Sequence, residues 1–146
     1  MITQDAFERL SPIASDRRIM LKMVDEAEPF KADPVMVETV IVNLVENAIK
    51  YIQEGGRVEV LWQLDSMKRK IVMRVKDNGP GIAEEHQDRL FERFYRVDKG
   101  RSRDIGGTGL GLSIVKHIMQ SHGGEVRLSS KPDQGSEFIC EFPFKP

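Results

Sequence analysis

Cysteine is almost absent from this sequence. The single Cys140 among 146 residues excludes an internal disulfide, and its place in the alternating segment 136–144 marks it as a buried thiol suited to a reducing compartment. No long apolar run occurs, which leaves no candidate for a membrane-spanning helix in this stretch. An excess of either charge is also missing. With 22 Lys and Arg against 23 Asp and Glu the net charge is −1, so the electrostatic footprint of a nucleic-acid binder is absent. The short basic cluster Lys68-Arg69-Lys70 reads as a solvated turn. Residues Met1 to Gln4 lack a basic stretch followed by an apolar core, so no signal peptide is expected, and any membrane attachment lies outside this chain. No internal repeat is visible. What remains, 40% hydrophobic and 31% charged residues, is the composition of an ordinary globular protein, and the length suits one domain over residues 1–146.

Periodicity then orders the chain. Phe7, Leu10, Ile13 and Ala14 recur at helical spacing, and Pro12 predicts a helix that is kinked or starts near Ser11. Arg18 to Val24 alternates as a strand and Asp25 to Pro29 reads as a turn. Asp33-Pro34 forms an N-cap and first-turn pair, followed by the stripe Val37, Val40, Ile41, Leu44, Val45, Ala48, Ile49 and Ile52, which predicts a helix of about four to five turns. Val58 to Leu64 and Ile71 to Lys76 form a predicted hairpin. Residues 77–111 are a long Gly- and charge-rich insertion with a short helical piece over 84–91, and a connection of that length is usually functional or disordered. A helix from Ser113 to His122 stops at Gly123-Gly124, and strands over 125–129 and 136–144 close the chain around Pro132-Asp133-Gln134-Gly135. This order predicts an α+β two-layer sandwich, a mixed, mostly antiparallel sheet with helices on one face.

Four constellations carry chemistry. Gly106-Gly107-Thr108-Gly109-Leu110-Gly111-Leu112 runs directly into an amphipathic helix, so its backbone N–H groups and the helix N-terminus suit a polyphosphate; a flexible hinge is the bland alternative. Asn43, Glu46, Asn47 and Lys50 fall at i, i+3, i+4 and i+7, one polar face opposite the apolar stripe. A solvated face is the ordinary reading, but Asn is a poor helix former, and amide oxygens beside one carboxylate and one ammonium suit phosphate-bound Mg²⁺. Asp77-Asn78-Gly79-Pro80-Gly81-Ile82 follows a strand, where a carboxylate in a Gly-rich turn can accept from an exocyclic amine; a common Asp-Asn-Gly turn is the alternative. In Phe91-Glu92-Arg93-Phe94-Tyr95-Arg96, the two Phe can staple a lid to the body as local core, while Arg96 and Arg93 can reach phosphate.

Taken in order, these four segments resemble the N, first glycine, F and second glycine boxes of the ATP-binding catalytic domain of sensor histidine kinases. The similarity covers nearly the whole chain, from Phe7 to Phe144, and Asn43-Leu44-Val45-Glu46-Asn47-Ala48-Ile49-Lys50-Tyr51 matches the N box almost letter for letter. The resemblance implies the Bergerat ATP-binding fold shared with the gyrase, Hsp90 and MutL ATPases, in the flavour of phosphate-response and cell-wall sensor kinases. It implies ATP and Mg²⁺ as ligands, with Asn47 on the metal, Asn43 supporting it or the phosphates, and Lys50 on phosphate. Glu46 takes the place of a polarising carboxylate. Tyr51 would stack on adenine, and Asp77 would accept from its amine, with Gly79, Gly81 and Ile82 shaping the pocket. Arg96 and Tyr95 would reach the terminal phosphates from a lid over about 95–111, and Gly107, Thr108, Gly109, Leu110, Gly111 and Leu112 would close over them. Ile52-Gln53 departs from the family's Thr or Ser followed by Pro, which alters the helix exit.

An absence matters more. The family's phosphoacceptor is a His followed by an acidic residue and then a Pro, whereas His86, His117 and His122 lie in Glu-His-Gln, Lys-His-Ile and Ser-His-Gly. His122 is expected to end a helix and His86 to be solvent exposed. The chain is therefore expected to bind ATP without phosphorylating itself. Its implied partners are its own dimerisation and phosphoacceptor domain and a response regulator, with no nucleic acid and no direct membrane contact. The isolated domain is expected to be monomeric and cytoplasmic, cut from a bacterial inner-membrane parent. The competing readings are a nucleotide-gated interaction module and a free-standing ATPase of the gyrase or Hsp90 kind. The lid segment 98–105, poor in apolar anchors, is expected to be mobile without nucleotide.

Overall fold

The computed structural model describes residues 2–93, 95 and 111–144. Helix α1 (Ile2–Asp16) runs into strand β1 (Met20–Glu26), helix α2 (Pro34–Tyr51), the hairpin β2 (Arg57–Asp65) and β3 (Lys70–Asp77), short helix α3 (Glu84–Gln87), helix α4 (Gly111–Ser121) and the hairpin β4 (Glu125–Ser130) and β5 (Ser136–Pro143). The strands form one mixed sheet in the order β1-β2-β3-β5-β4, parallel only between β1 and β2. The expected mixed, mostly antiparallel sheet with helices against it is what forms.

Helix α2 is the spine. The Asp33 carboxylate accepts from the backbone N–H of Val35 at 2.9 Å and of Met36 at 3.2 Å, satisfying two of the donors that a helix start leaves open, and Pro34 occupies the first turn. The predicted apolar stripe is the buried one, with Val40, Ile41, Leu44, Val45 and Ile49 wholly inaccessible. At the other end the Arg17 guanidinium donates to the carbonyls of Ile49 and Ile52, the latter at 2.6 Å, placing a cation where the helix dipole is negative. Helix α4 packs against α2, its Gly111 beside Asn43 and its C-terminal neighbour His122 beside Asp33, so the two helices run antiparallel. Gly123, at φ +73°, stops α4, and the N–H of Gly124 returns to Met119 O at 2.9 Å, with His122 at the helix end as expected.

Three expectations need correction. Helix α1 starts at Ile2, not near Ser11, and Pro12 lies inside it. The missing N–H falls on the exposed face, while Thr3, Ala6, Leu10 and Ala14 keep the buried stripe intact, so packing holds the helix through the proline. The helical piece expected over 84–91 stops at Gln87 and continues as turns to residue 93. Beyond Gln87 only Leu90 is buried and Phe91 is half-buried, too narrow a stripe to hold a longer helix against the body. His86 is half-buried rather than exposed, because its Nδ1 is hydrogen-bonded to the Tyr95 hydroxyl.

The period-2 alternation of the strands puts Phe138, Cys140 and Phe142 on the helix side and Glu137, Ile139 and Glu141 on the open side. Cys140 is buried, as expected, and burial pushes its thiol up to about 12. On the open side Glu141 is only 6% exposed, held between Arg127 at 2.5 Å and Lys70 at 3.0 Å. Hydrogen bonds from Arg127 and Lys70 hold its carboxyl below the ordinary glutamate value of 4.5. A depressed folded-state value means the native state prefers the carboxylate, so this contribution is complete above pH 4.5 and lost as pH falls below it. Glu141→Gln therefore lowers the melting temperature at pH 7, and thermal melts down to pH 3 show the gap from wild type shrinking. A gap unchanged with pH would remove the ionic explanation.

Candidate functional site

The predicted polar face of α2 forms. Asn43, Glu46, Asn47 and Lys50 are all half-buried, on the side away from the apolar stripe. Asn43 donates its amide to Thr39 O at 2.8 Å, which turns Oδ1 outward to Gly111: a Cβ added there would lie 2.9 Å from that oxygen. The first turn of α4, with its outward N–H groups, thus abuts the middle of α2. Lys50 and Glu46 pair at 2.8 Å one helical turn apart, so the ammonium and carboxylate neutralise each other. Asn47 lies on the same face between Asn43 and Lys50, and its amide has no hydrogen-bond partner among the described residues. Tyr51, half-buried, is the last residue of α2. Arg96, Gly107, Thr108, Gly109 and Leu110, the lid segment 98–105 and Phe94 lie outside the described residues. Leu112 is half-buried against the core.

Two turns of α2 further on, the Asp77 turn meets the end of the helix. Gly79 is buried against Ile52, to which an added Cβ would come within 2.5 Å, and Gln53 Nε2 donates to Asn78 O at 3.1 Å. The unusual exit Ile52-Gln53 thus supplies the contacts that seat this turn. Asp77 Oδ1 accepts from Gly79 N at 2.9 Å and Ser136 N at 3.3 Å, and Oδ2 has no partner among the described residues. Burial pushes the Asp77 carboxyl above its ordinary 3.8, and the N–H groups of Gly79 and Ser136 pull it back. Ile82 lies half-buried against the core. From Asn43 to Tyr51 the face spans about 12 Å at the usual rise per residue, the reach of an extended nucleoside triphosphate, with helix N–H groups at one end and a carboxylate at the other.

Sequence reasoning missed the third wall. The β4–β5 turn clasps the Asp77 turn: Asp133 N donates to Pro80 O at 2.5 Å, and Ile82 N to Ser130 Oγ at 2.8 Å. Gly81 at φ +76° lies against Lys131 O, and Gly135 at φ +79° against Asp77 O, at 2.1 and 2.2 Å from any added Cβ. Gln87, on α3, donates to Ile82 O at 2.9 Å and Ser130 O at 3.1 Å. Only the paired glycines 81 and 135, each in a polar turn, hinted at this contact. Farther along, Phe91 meets Phe138 edge to face at 6.1 Å, a local core contact. Tyr95 is occupied by His86 and by Arg89, whose guanidinium lies 4.5 Å over its ring. Among the described residues no cluster of three His, Cys, Asp or Glu could hold a metal, so a cation here would depend on amide and ligand oxygens. The amide oxygens of Asn43 and Asn47 beside Glu46 fit Mg²⁺ carried by phosphates.

A profile of the histidine kinase-, DNA gyrase B- and HSP90-like ATPases matches residues 32–146. The sensor-like histidine kinase SenX3 of Mycolicibacterium smegmatis is 48% identical over 116 residues, 78% of this chain and 29% of that protein. The phosphate regulon sensor protein PhoR of Pseudomonas aeruginosa is 40% identical over 116 residues, 80% of this chain and 26% of PhoR. Full-length ShkA, solved in complex with AMPPNP, superposes at a TM-score of 0.84 with 29% identity, over 98% of this chain and 29% of that one. The chain thus spans less than a third of the length of these relatives. No helix of the described residues is long and apolar enough to cross a membrane.

Proposed function

We propose that this chain, which belongs to the histidine kinase-, DNA gyrase B- and HSP90-like ATPase family, binds ATP and transfers its γ-phosphoryl group to a histidine on a separate dimerisation domain. The observation that carries this reading is the polar face of α2, which runs from the α4 N-terminus at Gly111 to the Asp77 turn. Asp77 Oδ2 accepts the adenine amine, Tyr51 stacks on the base, and Gly79, Gly81 and Ile82 shape the pocket. Gly111 and Leu112 open the helix whose N–H groups meet phosphate, with Gly107, Thr108, Gly109 and Leu110 leading into it. Arg96 reaches the terminal phosphates from a lid over about 95–111, and Tyr95, held by His86 and Arg89, anchors its base.

Asn47, with Asn43 beside it, would hold a magnesium ion carried by the phosphates, and that ion would supply neutralisation of phosphate charge during γ-phosphoryl transfer. Lys50 adds a positive charge to the same phosphates once they draw it from Glu46, freeing the Glu46 carboxylate to polarise the incoming imidazole. No histidine of this chain has the acceptor context, so the acceptor comes from elsewhere in the parent, and the phosphoryl group passes on to a response regulator. The parent is a bacterial inner-membrane sensor with this domain on its cytoplasmic side.

Mixing this domain with a separately produced acceptor domain and γ-labelled ATP tests the reading. Label accumulates on the acceptor histidine, and Asn47→Asp loses the transfer. ATP binding with no label on the acceptor would leave a nucleotide-gated module, and steady phosphate release without an acceptor would leave a free-standing ATPase.

A further inference from the structure

Three side chains form one register row across the sheet on its helix side. Asp77 of β3 opposes Ser136 of β5, and Ser136 opposes Ser130 of β4. Ser136 is only 7% exposed. The hydroxyl bookkeeping of this row has a single solution. A serine carries one O–H donor, and the Ser130 proton goes to Gly135 O at 3.0 Å. Ser130 Oγ must then be the acceptor in its other two contacts, from Ile82 N at 2.8 Å and from Ser136 Oγ at 2.9 Å. Ser136 therefore spends its own proton on Ser130 and keeps only lone pairs, while its backbone N–H donates to Asp77 Oδ1 at 3.3 Å. Within this row, then, neither serine keeps a free hydroxyl proton beside the Asp77 carboxylate.

We infer that Ser130, which no ligand need touch, is a specificity-determining positioning residue: by taking the Ser136 proton and the Ile82 N–H together, it makes the Asp77 wall acceptor-only and so selects a nucleobase with an amine over one with an oxo group. The inference rests on the reading that Asp77 receives the base. An exocyclic amine supplies the donor that such a wall lacks, as adenine does, whereas the guanine oxo group would set acceptor against acceptor. Without the Ser130 hydroxyl, the Ser136 proton is free to turn toward the ligand, and the Ile82 N–H loses its acceptor, so the pocket tolerates an oxo group while the Asp77 turn loosens. Gln87 is the second tie of the same turn, joining Ile82 O to Ser130 O.

Titration calorimetry of this chain with ADP and with GDP, both with magnesium, tests it. Ser130→Ala lowers ADP affinity about tenfold, the scale of one lost hydrogen bond, and leaves GDP binding unchanged or stronger, so the ratio of the two falls. Ser130→Thr, which keeps the hydroxyl, restores the ratio. Equal loss for both nucleotides in Ser130→Ala would mean that Ser130 merely supports the fold, and an unchanged ratio would mean that it does nothing to the base; either overturns the inference. Should Ser130→Ala not fold, Ser136→Ala tests the same proton while keeping the N–H to Asp77: with no hydroxyl left to turn toward the ligand the ratio stays at its wild-type value, and a fall in it overturns the inference. A wild-type chain that binds neither nucleotide, or both alike, defeats the reading of Asp77 itself and the inference with it.

Discussion

Gly81→Ala is expected to lose nucleotide binding and to unfold at markedly lower temperature, whereas Gly55→Ala is expected to keep binding and to lose only the modest stability that backbone strain removes. Both glycines sit at positive φ, +76° and +83°, and both substitutions incur the strain of a side chain in the left-handed region, about 1–2 kcal/mol. Around Gly55 nothing lies within 4 Å of an added Cβ, so strain is the whole effect. At Gly81 the Cβ would lie 2.1 Å from Lys131 O and 2.8 Å from its carbonyl carbon, and backbone cannot rotate away as the end of a flexible side chain would. The two turns must part. Their separation breaks the Asp133 N to Pro80 O bond and the Ile82 N to Ser130 Oγ bond, at about 1 kcal/mol each, for a total near 3 kcal/mol. Because the segment that yields carries Asp77 and Ile82, affinity for ADP falls by about 100-fold, the equivalent of that free energy. Thermal melts and titration calorimetry on the two variants decide it, and matching behaviour at positions 55 and 81 would show that the turn-to-turn clamp is irrelevant to the site.

Asp77→Asn should move binding and stability in opposite directions. The amide keeps an oxygen for the N–H groups of Gly79 and Ser136, so the turn retains its shape. It removes the acceptor that would meet the base amine and puts a donor in reach instead. A hydrogen bond to a charged acceptor is worth about 1.5–3 kcal/mol, so ADP affinity drops by roughly 10- to 100-fold. The ligand-free domain gains. A carboxyl whose folded-state value is raised holds its proton more tightly folded than unfolded. Below 3.8 both states are protonated and there is no penalty; as pH rises through 3.8 to the folded-state value the wild type loses stability, and the deficit persists at pH 7. Melting curves without nucleotide should therefore place Asp77→Asn above wild type at pH 7 and level with it near pH 3. A variant less stable than wild type at pH 7 would mean that the carboxylate is needed for the fold as well as for the ligand.

These two results separate what local sequence could reveal from what it could not. Helix α2 was legible because its signals are local: Asp33 and Pro34 start it, and the spacing of Val37 through Ile52 buries one side and leaves Asn43, Glu46, Asn47 and Lys50 on the other. The Asp77 turn was legible as glycine-rich chemistry at a strand end. Whether the first helix runs through Pro12 or starts after it was left open by the sequence, since only tertiary packing of Ala6, Leu10 and Ala14 shows that burial outweighs a proline on the wet face. Not legible at all was the engagement of His86 with Tyr95, whose partners lie nine residues apart across turns of no regular period.

By itself the sequence determined the groups available to a nucleotide: two asparagines one helical turn apart, a carboxylate in a glycine turn, and a glycine run entering a helix. It also determined that none of its three histidines has an acceptor's neighbours. Only the tertiary structure decided that Gly111 meets Asn43, that Gly81 and Gly135 let two turns interlock, and that Ser130 and Ser136 share a row with Asp77. The reason is register. A one-residue slip between β3 and β5 would send every side chain of a strand to the opposite face, and what prevents it is the burial of Ile71, Met73 and Val75 with Phe138, Cys140 and Phe142 against the helices. That pairing joins residues 59 to 73 positions apart, so no local window contains it, and the hydroxyls beside Asp77 inherit their place from the core.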